Sequence, residues 1–419
     1  MSNLASKLKN ILKNPLAVNS IIMFVGSMTG SFMNYVYNLF MGRLLEPEKY
    51  GILAALMSLL YIVNVPSSAI TTTIIKYTSQ YKGEEKFGKI KYMFRKLSKY
   101  FFFAGIVIFT VFAIFENKIA AFLKISDPLL VVMLASLFIA STPATINNGI
   151  INGLQKFPFI AGNSIFAAVT KLSIAILLVK LGFGVKGALV GLSLSFFLPY
   201  LLTFIPLSKL NKYKEELGIE WGKMAKYALP VFLANLGMGF FTNTDIVLVK
   251  RFFTPYEAGI FSALSLTSRT IYFASTSVVT VMFALVAERF AKKTDYKKIF
   301  LTSLGFVGLG CALCTAIYSI FPQFVMKFFF GVKYLEASKY LGMFALFISI
   351  YAISFLLINY FLSIHKTKVV TVSLLFAGLQ AILIFFFHEN FKEVIFSSVL
   401  SVTLLSGTLI GYYARMSKE

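Results

Sequence analysis

The chain has 419 residues, of which 58% are hydrophobic and only 14% charged, with a formal net charge of +23. Soluble domains carry about 25% charged residues, so this chain has too few to cover a water-facing surface, and we expect a bilayer to be its solvent. Its basic residues fall in short loops between apolar runs, which is typical of membrane topology and argues against a nucleic-acid partner.

Twelve apolar runs are each long enough to cross the hydrocarbon core, which takes about 20 helical residues. The sequence therefore predicts an all-α polytopic membrane protein. The spans lie at 17–41, 51–75, 100–122, 128–152, 159–181, 184–207, 227–249, 257–286, 299–321, 338–363, 367–387 and 393–413.

The basic residues also predict the orientation of the chain. If the N-terminus is cytoplasmic, 26 of the 40 Lys and Arg residues fall in inner segments and 12 in outer ones. Because inner loops of membrane proteins are enriched in Lys and Arg, we expect a multi-pass protein of the cytoplasmic membrane with both termini inside.

Two stretches of the sequence repeat each other. Residues 32–56 (FMNYVYNLFMGRLLEPEKYGILAAL) match residues 240–264 (FFTNTDIVLVKRFFTPYEAGIFSAL) at seven places without a gap, at a shift of 208. The repeat pairs spans 1 and 2 with spans 7 and 8, and the even number of intervening spans makes the two halves parallel.

We therefore predict an N-terminal six-helix lobe over 1–207, a cytoplasmic inter-lobe linker over 208–226 and a C-terminal six-helix lobe over 227–419. Two parallel lobes around a central cavity are a common plan for transporters that work by alternating access. Neither a P-loop nor an external domain-sized loop occurs, which argues against an ATPase and against a membrane glycosyltransferase or ligase.

Three motifs follow one another at the ends of spans. G-R-L-L-x-P-x-x-Y-G joins spans 1 and 2 (Gly42 to Gly51), N-G-L-Q-K-F closes span 4 (Asn152 to Phe157), and F-G-x-x-Y precedes span 10 (Phe330 to Tyr334). With the stretch from Asp245 to Gly259, their order and spacing resemble the polysaccharide transporters of the O-antigen flippase type over most of the chain.

This resemblance implies a MATE-like fold, shared with multidrug and toxin extruders and lipid II flippases. It also implies flipping of a polyprenyl-pyrophosphate-linked oligosaccharide from the inner to the outer leaflet, without a cofactor. The family usually has Gly where this chain has Glu46. A drug or organic-cation antiporter of the same fold is the alternative, but its cavity should be dominated by carboxylates.

Span 1 carries a polar stripe of Ser27, Ser31, Asn34 and Asn38, within an arc of about 60° on a helix. The repeat places Ser27 on Asn235 and Asn34 on Thr242. Both halves thus present polar groups from equivalent faces, which predicts either a substrate-binding cavity or hydrogen bonds between helices.

Charged residues inside spans are costly and are functional candidates. Arg269, in span 8, shares a stripe with Ser262, Ser265, Tyr272 and Thr276, and we interpret it as a phosphate clamp or as a cation paired with a carboxylate. Lys171, central in span 5, is the second phosphate candidate, because it is too deep to reach either interface easily.

Asp245, near the outer end of span 7, corresponds to Tyr37 in the first half, so the shared fold does not require a carboxylate there. A buried carboxylate can exchange protons, and we hypothesise that Asp245 couples transport to a proton or sodium gradient. The alternative is a salt bridge to Lys250 or Arg251. The C-x-x-C pair of Cys311 and Cys314 is interpreted as helix packing, and no metal site is predicted.

Overall fold

The computed structural model describes residues 15–291, 294–364, 366 and 368–416, and these residues contain helices and no β-strand. Apolar runs of this length fold as helices because a helix satisfies its own backbone hydrogen bonds in lipid. The described α-helices are α1 (Pro15–Leu44), α2 (Pro47–Gly83), α3 (Phe87–Ile114), α4 (Glu116–Phe122), α5 (Leu129–Gly153), α6 (Phe157–Leu178), α7 (Gly184–Leu207), α8 (Trp221–Phe252), α9 (Pro255–Ala291), α10 (Lys297–Ile320), α11 (Pro322–Phe330), α12 (Ser338–Ser363), α13 (Val369–Phe386) and α14 (Phe391–Met416).

Each predicted span overlaps a long helix, which confirms the all-α fold class. The third span differs in detail, because α3 already begins at Phe87 and ends at Ile114, and the short α4 follows it. Among the described residues, eight helical segments are long and apolar enough to cross a membrane, and one of them joins α6 and α7. The chain is therefore an integral membrane protein, and the number of twelve crossings stays a prediction.

The repeat is visible in the helix boundaries. Helices α2 and α9 both contain 37 residues, and both their first and their last residues are 208 positions apart. The two helices cross at equivalent glycines, where a Cβ on Gly51 would lie 2.6 Å from the Gly259 backbone nitrogen, and a Cβ on Gly259 would overlap the Pro47 carbonyl. Only glycine permits two helix backbones to approach so closely.

The chain divides into two compact units. The first contains the residues up to Leu44 together with Pro66–Leu229, and the second contains Leu45–Val65 and the chain from Pro230 onward. Helix α2 thus contributes to both units and changes from one to the other at Pro66. The predicted lobes differ from these units in giving all of α2 to the N-terminal lobe, and their limits stay a prediction.

In the first unit, α5 packs against α3 and α7, and α6 packs against α1 and α7. The segment predicted as a linker is docked on this unit. The ammonium of Lys91, on α3, donates to the carbonyls of Asn211 (3.1 Å) and Tyr213 (2.7 Å), and the Tyr213 ring stacks on Phe87 at 4.8 Å. Helix α8 then begins at Trp221, six residues before the predicted span.

In the second unit, α12 is central and packs against α9, α10 and α14. Two of the sequence motifs meet here. The Tyr50 ring of the first motif lies 5.6 Å from Phe330 and 6.1 Å from Tyr334 of the third, and the Lys333 ammonium donates to the exposed Glu46 carboxylate at 2.6 Å. The carboxylate that replaces the family's usual Gly thus forms an ion pair.

The remaining motif holds the other end of α2 in the first unit. The hydroxyl of Ser79 donates to the Gly153 carbonyl at 3.2 Å, and the Lys82 ammonium donates to the Gln155 side chain at 2.7 Å. The three motifs therefore anchor the two ends of α2, each end within a different unit.

Candidate functional site

Two cationic side chains of the described residues lie near the middle of predicted spans, one in each unit. Lys171 lies in α6 of the first unit and is 5% exposed, and Arg269 lies in α9 of the second unit and is half-buried. Neither cation forms an ion pair with a carboxylate of the described residues. Their surroundings differ in kind.

The ammonium of Lys171 is engaged by two groups of α1. It donates to the Asn34 side-chain oxygen at 2.6 Å and lies 4.2 Å from the centroid of the Tyr37 ring. The Tyr37 hydroxyl donates in turn to the Ala188 carbonyl of α7 at 3.2 Å. A cation is attracted to the face of an aromatic ring, so the first unit supports Lys171 with an amide oxygen and a ring.

The predicted stripe of α1 is brought to Lys171 through Asn34. The Asn34 amide donates to the Gly30 carbonyl at 3.0 Å, and that of Asn38 donates to the Asn34 carbonyl at 2.8 Å. Both side chains therefore lie along their own helix, and the oxygen of Asn34 accepts from the lysine. The side chains of Ser27 and Ser31 lie outside the described part of the chain.

The guanidinium of Arg269 has free donors. Its Nε and NH2 atoms are shielded from solvent and have no hydrogen-bond partner, and no ring of the described residues forms a cation–π contact with it. A guanidinium offers a planar fork of N–H donors that matches carboxylate and phosphate oxygens. The second unit therefore holds a cation with two donor nitrogens that no group of the described residues uses.

Several tyrosines lie within electrostatic range of Arg269. Four of them lie near enough for electrostatic interaction with its guanidinium: Tyr50, Tyr61, Tyr272 and Tyr351. Of these, only Tyr272 was part of the predicted stripe. Tyr61 could have been found from the sequence, since the shift of 208 places it at the position equivalent to Arg269.

Asp245 is 1% exposed and interacts electrostatically with Arg269. One oxygen, Oδ1, accepts the backbone N–H of Ile246 at 2.8 Å, and the other, Oδ2, has no partner. No ion pair joins Asp245 to Lys250 or Arg251 among the described residues. Within the described part of the chain, the carboxylate is thus buried in the electrostatic range of a cation and forms no direct salt bridge.

The other predicted residues of the second unit lie on α8 and α9. Thr242 is half-buried, and its hydroxyl accepts from the Asn243 amide at 3.3 Å. Asn235 is half-buried and interacts with a neighbouring group.

On α9, Ser265 is fully buried and its hydroxyl has no hydrogen-bond partner. The Ser262 hydroxyl donates within the helix to the Ala258 carbonyl at 2.7 Å. The predicted stripe is therefore buried at Ser262 and Ser265 and opens from Arg269 onward.

Comparison with known proteins places this geometry in context. The sequence profile of a family described as "Polysaccharide biosynthesis protein" matches residues 40–339, which is most of the chain. No curated protein sequence matches.

Three solved structures share the fold. A multidrug resistance MATE family transporter of the MOP superfamily, in an inward-facing conformation, superposes with a TM-score of 0.73 at 12% identity and covers 95% of this chain and 99% of its own. The lipid II flippase MurJ gives 0.71 at 17% identity, covering 93% and 87%.

A MOP superfamily transporter from Pyrococcus furiosus, described by the reverse polarity of its binding pocket, gives a TM-score of 0.65 at 16% identity and covers 95% of each chain. At these identities the likeness establishes a MATE-like fold and nothing about cargo.

Proposed function

The chain belongs to the polysaccharide biosynthesis protein family, and we propose that it flips a polyprenyl-pyrophosphate-linked oligosaccharide across the cytoplasmic membrane. Family and fold together support a transporter or flippase, which moves its cargo without catalysing a reaction. The observation that carries the choice of cargo is the Arg269 guanidinium, whose Nε and NH2 donors have no partner within the protein.

An unused guanidinium in the low-dielectric interior favours an anionic ligand. Burying a cation is costly unless it is paired, and a pyrophosphate offers the oxygens that a guanidinium fork binds in bidentate fashion. A drug cation would instead be repelled by Arg269, and the carboxylate that could attract it, Asp245, is 1% exposed. An anionic glycan lipid therefore explains the unpaired donors of Arg269, whereas the organic cation carried by a multidrug antiporter does not.

The remaining predicted residues are assigned supporting roles. Thr242 and Asn235, in the second unit, supply polar groups for the sugar or phosphate near Arg269. Lys171, with Asn34 and Asn38, supplies a second cationic region in the first unit. Ser265 is buried, so it supports the helix stripe behind Arg269.

The transport cycle proposed is alternating access by two lobes, in which the acyl chain stays in lipid while the headgroup crosses. Both termini are proposed to be cytoplasmic. Asp245 is proposed to couple this cycle to a proton or sodium gradient, because a buried carboxylate with a free oxygen beside a cation can bind and release a small cation as its surroundings change.

The experiment that tests this function is translocation in proteoliposomes. The purified protein is reconstituted with a fluorescent polyprenyl-pyrophosphate-linked oligosaccharide, and movement between leaflets is followed by quenching from outside. We expect translocation by the wild-type protein and its loss in Arg269→Ala, with equal incorporation into liposomes.

Arg251→Ala is the matched control, because Arg251 is exposed at the end of α8. It should translocate normally. A wild-type protein that exports an organic cation and leaves the glycan lipid unmoved would overturn the proposed cargo.

A further inference from the structure

Three rings of the second unit form what we call the aromatic patch: Tyr61 of α2 and Tyr272 of α9, which lie within electrostatic range of Arg269, and Phe355 of α12, which packs against Tyr272. Tyr61 is 46% exposed, and the other two rings are half-buried. All three belong to the second unit. The patch thus offers partly open ring surface beside an unpaired guanidinium.

The protein holds the central ring of the patch in place. Tyr272 lies 5.2 Å from the Phe355 ring in an edge-on arrangement and 5.2 Å from the ring of buried Tyr351. The Tyr351 hydroxyl donates to the Met238 carbonyl of α8 at 3.0 Å. A ring positioned by packing binds a ligand with little further loss of conformational freedom.

The depth of the patch argues against a role in anchoring the protein to lipid. Tyr61 lies ten residues into the predicted span 51–75 and Arg269 twelve residues into the predicted span 257–286, about 15 and 18 Å along the helix axis at 1.5 Å per residue. Tyrosines that contact lipid headgroups lie at the two membrane interfaces, about 30 Å apart. Tyrosines near the middle of a span lie too deep to contact lipid headgroups, so anchoring at the interface does not explain them.

Nor do the rings serve as cation–π partners for Arg269, since none of the described rings lies over its guanidinium. Tyr61 is 46% exposed and the other two rings are half-buried, so part of each ring surface is accessible to a ligand. The face of an aromatic ring is electron-rich and attracts the polarised C–H groups on one side of a pyranose.

We propose that the aromatic patch binds the sugar residue attached directly to the pyrophosphate, by stacking, while Arg269 binds the pyrophosphate itself. This inference rests on the proposed function and adds the recognition of the first sugar to it. The patch makes the protein distinguish a glycosylated polyprenyl pyrophosphate from the bare carrier.

The test compares two synthetic ligands, farnesyl pyrophosphate and farnesyl pyrophosphate with one N-acetylglucosamine on its terminal phosphate. Binding to the purified full-length protein in detergent is measured by calorimetry, and the ratio of the two dissociation constants reports the sugar. One aromatic contact, worth about 0.5–1.5 kcal/mol, corresponds to about a two- to twelvefold ratio. Tyr272→Ala should bring the ratio close to one while leaving farnesyl pyrophosphate binding unchanged.

Other variants separate the patch from the clamp. Tyr272→Phe keeps the ring and should keep the ratio, Arg269→Ala should weaken both ligands alike, and Tyr256→Ala, an exposed tyrosine at the start of α9, should alter neither. If Tyr272→Ala folds poorly, Tyr61→Ala tests the patch at its most exposed ring. Tyr61→Ala is expected to lower the ratio of the two dissociation constants.

The outcomes are distinct for the two proposals. If neither ligand binds the wild-type protein, the proposed function itself is contradicted. If both bind, and the ratio is near one in the wild-type protein or is unaffected by Tyr272→Ala and Tyr61→Ala, the sugar subsite is overturned and the anionic cargo stands.

Discussion

The two deep cations of this protein occupy opposite situations. In the first unit, Lys171 donates to Asn34 at 2.6 Å and lies over the Tyr37 ring. In the second, Arg269 has two nitrogens without a partner, and the position equivalent to Tyr37 carries Asp245. A duplicated framework thus holds one cation that its own unit satisfies and one that it does not.

This difference assigns the two cations different roles. A cation whose partners are internal contributes to the packing of its own helices, and a ligand must compete with those partners to reach it. A cation with free donors binds a ligand without first breaking an internal hydrogen bond, so its removal affects binding more than folding. Each of the following predictions tests this contrast.

The largest effect is expected at Arg269. Arg269→Ala should weaken binding of inorganic pyrophosphate at least tenfold, since hydrogen bonds to charged groups are worth about 1.5–3 kcal/mol. Arg269→Lys should bind pyrophosphate more tightly than Arg269→Ala but more weakly than the wild-type protein, because lysine keeps the charge and loses the planar fork of donors. Calorimetry measures the binding, and thermal unfolding of both variants should match the wild-type protein. If Arg269→Ala binds pyrophosphate as tightly as the wild-type protein, Arg269 is not part of the anion-binding site.

The second effect is on stability in the first unit. Asn34→Leu removes the acceptor of the buried Lys171 ammonium and should lower the free energy of unfolding by about 1.5–3 kcal/mol, seen as a lower thermal midpoint. Asn38→Leu is the matched control, since the Asn38 amide donates only to a carbonyl of its own helix.

Adding Lys171→Met to Asn34→Leu should recover most of that loss, because no cation is then left unpaired in the interior. If Asn34→Leu is as stable as the wild-type protein and instead loses pyrophosphate binding as strongly as Arg269→Ala, the contrast between the two cations is wrong.

A smaller effect is expected at Asp245. Asp245→Asn removes a negative charge near Arg269 and should tighten pyrophosphate binding a few-fold, or about 1 kcal/mol at the effective dielectric of a protein site. In proteoliposomes it should also remove the dependence of transport on a proton or sodium gradient. Asp127→Asn, which breaks an exposed ion pair with Lys186, serves as the acid control. Normal transport with unchanged gradient dependence in Asp245→Asn would refute the coupling role.

The smallest effect of a single group is expected for the hydroxyl of Tyr37. Tyr37→Phe loses the hydrogen bond to Ala188 and keeps the ring beneath Lys171, so the free energy of unfolding should fall by about 0.5–1.5 kcal/mol. Tyr37→Leu also removes the cation–π contact and should cost about 0.5–2 kcal/mol more. Equal stability of these two variants, measured by thermal unfolding, would show that the ring does not stabilise the ammonium.

The deep charged residues could be found from the sequence because each interrupts a long apolar run, as at Lys171, Asp245 and Arg269. Their partners could not. The amide of Asn34 is 137 positions from Lys171 in the chain, and no local pattern predicts which helices bring such residues together. Tyr61 is an intermediate case, since the repeat placed it at the position equivalent to Arg269 without indicating that the two side chains are neighbours.

By itself, the sequence determined that this chain is a helical membrane protein with an internal repeat, because apolar runs of bilayer length have few alternatives to helices and a constant shift of 208 residues preserves their boundaries. Only the tertiary structure decided which cation is satisfied and that α2 is divided between two compact units at Pro66. Hydropathy is a property of single segments, whereas the pairing of a buried charge depends on the side chains that neighbouring helices bring to it.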